Sequence, residues 1–228
     1  MGRYGRINQP DLTYHVINRG NNRNIIFKKA EDYQHYLNTI QRYKKKYQFK
    51  LFAFCLMPNH VHLLIKVSEQ GSISKIMQSI TVAHTRYYNE KYRRCGHVWQ
   101  GRFNSPVVSE DDHFFNVMRY IEQNPVRAKM VARISDYPWS SYRLNISKKE
   151  SLIIERNENL VYKQLGPDLI SRIQTYRKLV AEDIEQNEIE RIWKSTRQGI
   201  NYISERFAEQ IPMLLPQRRK RGRPKNFS

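Results

Sequence analysis

The sequence predicts an α+β fold. The expected plan is a ferredoxin-like (RRM-like) split β-α-β antiparallel sheet with helices on one face, plus a mainly helical C-terminal accessory region. Three observations point there. Strand-type and helix-type periodicities alternate as β-α-β-β-α-β-α up to Asn124. The two central strands flank a Pro58-Asn59 turn and so form a hairpin. Beyond residue 145 the chain is polar and helix-patterned, with few strand signals.

The elements follow in order. Tyr14–Arg19 (YHVINR) alternates and is β-prone, and Gly20-Asn21-Asn22 ends it. From Glu31 to Tyr47 the residues Tyr33, Tyr36, Leu37, Ile40 and Tyr43 recur at helical spacing. Phe49–Met57 (FKLFAFCLM) is apolar and aromatic, as a buried strand requires, and His60–Val67 (HVHLLIKV) is its hairpin partner. Ser72–Lys91 reads as a helix, and Ser105–Ser109 (SPVVS) as a short strand. Ser109-Glu110-Asp111-Asp112 is a helix start with acidic residues in the first turn. That helix runs through Phe114, Phe115, Val117, Met118 and Ile121 to Asn124-Pro125, where the proline is expected to push Asn124 out of helical geometry. Three units result: a domain over 1–145, a helical accessory region over 146–216 and a basic tail over 217–228.

Charge narrows the partners. Lys and Arg number 40 against 21 Asp and Glu, a formal net charge of +19. Taking away the six at Arg218, Arg219, Lys220, Arg221, Arg223 and Lys225 leaves +13 on the rest. A basic body and a basic tail point to a polyanion, foremost nucleic acid. The two cysteines, Cys55 and Cys95, form no CxxC pattern, which argues against a disulfide scaffold and suits a reducing cytosol. The first residues lack the apolar stretch of a secretory signal, and no apolar run nears the roughly 20 residues of a membrane span. A cytoplasmic protein with no membrane partner is expected.

His60-Val61-His62 opens a strand, so both imidazoles share one face while Val61, Leu63 and Ile65 take the other. Two imidazoles at i and i+2 can converge on one metal ion; the alternative is a pair of ordinary strand histidines on a solvated face. An apolar opposite face fixes the register and turns both away from that core. A metal there could polarise a phosphate oxygen, and Mg²⁺ or Mn²⁺ suits that use, although imidazole also accepts Zn²⁺. No acidic cluster of the two-metal nucleases, no serine elbow and no P-loop is present. Among 15 tyrosines, Tyr120 stands late on a well-capped helix with Asn124 four residues on, so a phenolate and an amide oxygen can approach one metal. By spacing alone Tyr120 reads first as a core tyrosine.

The segments MPNHVHLLI, VWQGRFNSPVV, MRYIEQNPVRAKMV and DYPWSSY, in that order, resemble the REP-associated tyrosine transposases of the HUH single-tyrosine superfamily of bacterial insertion sequences. The resemblance spans residues 4–145. It extends through YKQLG, YRKLV, TRQG, SERF and the terminal KRGRPK to nearly the whole chain. It implies that His60 and His62 bind a divalent metal, that Tyr120 attacks a DNA phosphate, and that Asn124 is the third ligand where relatives often carry Gln. It further implies a 5′-phosphotyrosine, a free 3′-hydroxyl, and a DNA hairpin with a short single-stranded foot as substrate. A monomer or a homodimer is compatible with it, as is a bacterial, nucleoid-associated setting.

The remaining candidates bear on DNA contact. Arg93 and Arg94, with Trp99 and Arg102, interleave cations and rings that can neutralise phosphates and stack on unpaired bases. Arg19 and Arg23 flank a polar loop able to read a foot sequence. Arg221-Gly222-Arg223-Pro224 resembles an AT-hook core, with a solvated cationic tail as the alternative. Two other functions compete: a non-catalytic DNA- or RNA-binding module, and a zinc-stabilised binder using Cys55, His60, His62 and Cys95 or His97.

Overall fold

The computed structural model describes residues 7–211 and Leu214; the tail with Arg221 and Arg223 lies outside the described residues. Strand β1 (Thr13–Arg19), helix α1 (Ala30–Tyr47), strands β2 (Lys50–Met57) and β3 (His60–Lys66), helix α2 (Ile73–Lys91), strand β4 (Val107–Val108) and helix α3 (Asp112–Glu122) follow in the expected order. The sheet order is β2-β3-β1-β4, and each neighbouring pair is antiparallel. β1 and β2 thus run parallel on either side of β3, the split β-α-β topology of a ferredoxin-like sheet.

Alternation along the strands sorts the side chains. Tyr14, Val16, Val61, Leu63 and Ile65 join Tyr36, Ile40, Ile76 and Ile80 in a core between the sheet and α1 with α2. A register shift between Leu51 and Ala53 puts Leu51, Phe54 and Leu56 on that same face. The opposite face is a second core. Phe52, Ala53, Cys55, Met57 and Leu64 meet Phe114, Val117, Met118, Tyr120 and Ile121 of α3. The chain continues through α4 (Asn124–Arg127), α5 (Tyr142–Asn145), α6 (Leu160–Lys163), α7 (Leu169–Ala181), α8 (Gln186–Gln198) and α9 (Glu205–Gln210). Tyr162, Tyr176, Val180, Ile192 and Tyr202 from this stretch pack into the second core. Among the described residues the stretch beyond 145 is mainly helical, as its patterning predicts, and it packs against the same sheet.

Both sheet edges are covered. At β2, Leu56 N–H donates to Trp139 O (2.9 Å), Ser141 N–H to Phe54 O (2.9 Å), and Glu155 N–H to Leu51 O (2.9 Å). The DYPWSSY segment therefore closes an edge that would otherwise present unpaired backbone groups. At β4, Tyr202 N–H donates to Val107 O (2.8 Å) and Ser109 N–H to Tyr202 O (3.3 Å).

Two details of α3 bear on the site. Asp111 is its N-cap, accepting from His113 N–H (2.9 Å), and Ser109 Oγ donates to the same carboxylate (2.8 Å). At the other end Asn124 is helical, a correction to the expectation from Pro125. The helix pauses at Gln123, and Pro125 sits in the first turn of α4, where a missing N–H leaves no bond unmade.

Candidate active site

The face of the sheet under α3 collects three histidines and one tyrosine. His60 and His62 alternate onto it from β3, and His15 reaches it from β1. The His60 and His62 ring centroids are 5.0 Å apart, and those of His15 and His62 are 5.3 Å apart and stacked. From α3 above, the Tyr120 ring stands edge-on to both His15 and His62 at 5.9 Å. The shared face of the two predicted histidines is therefore as expected, but it is not solvated. His62 is 4% exposed and Tyr120 7%, because α3 lies across them.

The imidazoles are oriented through Nδ1. His60 Nδ1 lies 2.6 Å from Asn59 Oδ1. The amide's orientation is set by Asn59 Nδ2, which donates to Arg23 O at 3.2 Å. An amide oxygen only accepts, so His60 carries its proton on Nδ1 and Nε2 keeps its lone pair. The turn is itself held: Gly20 N–H donates to Asn59 O (2.8 Å), and a Cβ on Gly20 would meet Asn24 O at 2.3 Å. His62 Nδ1 lies 3.1 Å from His15 Nε2; with the proton on His62 Nδ1, its Nε2 is likewise a donor atom. Burial, with the nearby Arg19 charge, pulls His60 down to about 4. Burial, reinforced by Arg127, pulls His15 down to about 3. Burial, then the neighbouring histidines and arginines, drives His62 well below its ordinary value. All three are neutral at neutral pH, the form that ligates metal.

Tyr120 is bracketed by positive charge. Burial raises its phenol, while Arg127 and then Arg19 lower it. The Arg127 guanidinium stands 4.0 Å from the ring centroid, and its Nη2 donates to Tyr120 O at 2.6 Å. Its buried Nη1 has no hydrogen-bond partner. Asn124 lies one turn beyond Tyr120, with Nδ2 donating to Tyr120 O (2.8 Å) and Ile121 O (3.3 Å). Oδ1 is consequently the atom it has for a metal. Among the described residues no group of three or more His, Cys, Asp or Glu could hold a metal ion. The donor atoms this face offers are the two histidines with an amide or phenol oxygen. The zinc alternative is not assembled: Cys55 is buried in the second core and Cys95 is exposed.

The candidate DNA contacts divide. Arg19 pairs across from His60 in the β1–β3 register. Gln100 N–H donates to Arg19 O (2.7 Å), and Asn21 N–H to Val98 O (2.8 Å). The loop bearing Arg102 thereby lies against the end of β1, with Arg19, Arg23 and Arg102 all exposed. Arg93 and Arg94 follow the C-terminal end of α2 and are exposed, Arg94 lying 5.6 Å over the Tyr88 ring. Trp99 is a correction. Its ring is buried between α1 and α2 near Tyr36 and His84, and its Nε1 donates to Thr81 O at 3.2 Å. It has no free face for a base.

Sequence reasoning passed over His15 and Arg127. His15 alternates onto the face of Ile17 and Arg19, the signal that could have found it. Arg127 stands seven residues after Tyr120, two helical turns on, and so falls beneath the same ring.

A profile described as Transposase IS200 like matches residues 8–124. The chain belongs to the IS200-like transposase family. The family match takes in His15, His60, His62, Tyr120 and Asn124, and stops before α5–α9. A Haemophilus influenzae protein assigned as a REP-associated tyrosine transposase is 31% identical over 111 residues, 44% of this chain and 62% of that relative. The chain thus spans less than two thirds of its length. The REP-associated tyrosine transposase of Escherichia coli K12 is 23% identical over 138 residues, 59% of this chain and 78% of that one. A solved REP-associated tyrosine transposase bound to a REP hairpin superposes with a TM-score of 0.58 at 21% identity, covering 68% of this chain and 92% of the other. That likeness establishes the shared fold. No helix among the described residues is long and apolar enough to cross a membrane.

Proposed function

We propose that this family member cuts single-stranded DNA beside a hairpin, with Tyr120 as nucleophile. The observation that supports this best is the contact of the Tyr120 ring with His62 and His15 at 5.9 Å, with His60 5.0 Å beyond His62. All four groups come from one chain, so a monomer suffices. The REP-associated relatives, and the hairpin named for one of them, point to hairpin DNA as the substrate.

Tyr120 Oη forms a bond to the scissile phosphorus and the bond from phosphorus to the 3′ oxygen breaks. The phenol gives up its proton and the departing 3′ oxygen gains one. The products are a 5′-phosphotyrosine and a free 3′-hydroxyl able to reverse the step. Arg127 favours the phenolate and carries an uncommitted N–H toward developing phosphate charge. His15 fixes the ring of His62, and Asn59 that of His60, as groups behind metal ligands do. The donor set fits Mg²⁺ or Mn²⁺ held by His60 and His62 through Nε2, with Asn124 Oδ1 as the remaining protein oxygen. Such a cation, when bound, would polarise a non-bridging phosphate oxygen. Arg19, Arg23, Arg93, Arg94 and Arg102 supply phosphate contacts.

The test is a hairpin oligonucleotide with a single-stranded foot, incubated with Mn²⁺ and resolved on a denaturing gel. Wild type should form a covalent adduct whose mass places the nucleotide on Tyr120. Tyr120→Phe, His60→Ala and His62→Ala should bind the DNA without forming it. Cleavage by Tyr120→Phe, or an adduct on another tyrosine, would refute the proposal.

A further inference from the structure

We propose that the C-terminal helices hold α3 at the rotation and height that set Tyr120 against the histidines, with Arg119, Glu122 and Gln123 as positioning residues. The inference rests on the reading of Tyr120 as nucleophile. Toward the sheet α3 presents Phe114, Val117 and Ile121, an apolar surface against Phe52, Ala53 and Leu64. Apolar burial is non-directional. It keeps the helix on the sheet but distinguishes poorly between neighbouring rotations, and a shift of one residue turns a helix by about 100°.

Directional contacts come from the other side. Gln123 Nε2 donates to Val180 O (2.9 Å) and Glu182 O (2.8 Å). Arg119 Nη2 donates to Glu182 O (2.8 Å) and Asp183 O (3.2 Å). These carbonyls lie at the C-terminal end of α7, where the helix itself provides no donor. Arg119 and Gln123, at i and i+4, share one face of α3 and dock there together.

Glu122 points elsewhere and is fully buried. It accepts from Ser141 Oγ (2.5 Å), Asn145 Nδ2 (2.8 Å) and the Tyr176 hydroxyl of α7 (2.7 Å). Farther up, Asn159 Nδ2 reaches Met118 Sδ at 3.2 Å, and the His113 ring lies 4.5 Å from that of Tyr202. α3 is therefore held along its length by residues beyond the 8–124 family match. The latch gives the region after residue 145 a role in the chemistry, because it fixes the helix that carries the nucleophile.

The experiment uses the full chain. Adduct formation by wild type, Gln123→Ala and Tyr176→Phe is followed in single turnover with the hairpin oligonucleotide and Mn²⁺. Hydrogen exchange of the amides of residues 117–122 is measured in parallel. A misplaced nucleophile lowers the rate constant, here by roughly ten- to a hundredfold. The final adduct yield and the affinity for the same DNA should stay at wild-type values, and exchange in α3 should speed up. A merely structural defect lowers yield and leaves the rate constant of the surviving enzyme alone. That result overturns the proposal, as does wild-type cleavage alongside faster exchange. Should Gln123→Ala fail to fold, Tyr176→Phe, which loses one hydroxyl, carries the same reading. A wild type that forms no adduct overturns the assignment of Tyr120 instead. Exchange then still decides whether α7 holds α3, unchanged exchange overturning that as well.

Discussion

Glu122→Gln should change the pH dependence of folding in a defined way. Burial raises the Glu122 carboxyl from 4.5 to about 7, against the opposing effect of its three hydrogen-bond donors. Below pH 4.5 the acid is protonated in the folded and unfolded chains alike, and glutamine is a fair mimic of it. Between 4.5 and about 7 the unfolded chain releases the proton and the folded chain retains it. Stability from this group is therefore complete at low pH and is lost as pH rises, at about 1.4 kcal/mol per pH unit. Across the whole interval the loss comes to about 3 kcal/mol, with no discount for solvent because the side chain is fully buried. Urea unfolding of both proteins, from below pH 4.5 to about a unit above 7, measures it. Asp32, the histidines and the other shifted groups are common to both, so the difference between the curves isolates Glu122. The wild type should lose ground to Glu122→Gln with rising pH and then run parallel to it. Curves parallel throughout, or a wild type that gains with pH, would show that Ser141, Asn145 and Tyr176 hold a carboxylate and that the reasoning is wrong.

Arg127→Gln should cut the rate of adduct formation by roughly a hundredfold, the scale of one lost charge-stabilising donor, with hairpin affinity retained. It should also move the alkaline limb of the pH–rate profile upward, because Arg127 is the largest influence lowering the Tyr120 phenol; an unshifted profile counts against the pairing. Deleting residues 217–228 removes six cationic side chains. The salt dependence of binding to single strands should then flatten by up to about 0.7 per contact in the log–log slope. An unchanged slope and affinity would exclude the tail as a DNA contact.

Alternation along HVHLLIKV makes the facing of His60 and His62 legible from sequence alone, since a period of two leaves one register that buries Val61, Leu63 and Ile65. The burial of His62 is not legible there. Its cover is α3, held down by Tyr176, Gln123 and other contacts between residues far apart in sequence, which no local pattern encodes. His15 escapes notice for a related reason: a single histidine in a strand acquires meaning only when β1 pairs with β3. Trp99 shows the converse. Its basic neighbours suggest a stacking surface, but the burial of an aromatic ring is decided by what α1 and α2 place around it.

The edge at β4 carries a consequence for biogenesis. Val107 N–H donates to Asn201 Oδ1, a partner 94 residues later in the chain. At translation rates of about 5–20 residues per second, the strand is made roughly 5–20 s before its partner is. For that interval the nascent sheet has an unpaired margin at β4, the margin at β2 closing earlier, once Trp139, Ser141 and Glu155 are made. Its second face awaits Tyr162, Tyr176 and Tyr202. A chain halted near residue 145 would remain in that condition, prone to pair its margin with another copy. The candidate site is then finished late in synthesis, when the helices that cover it have been made.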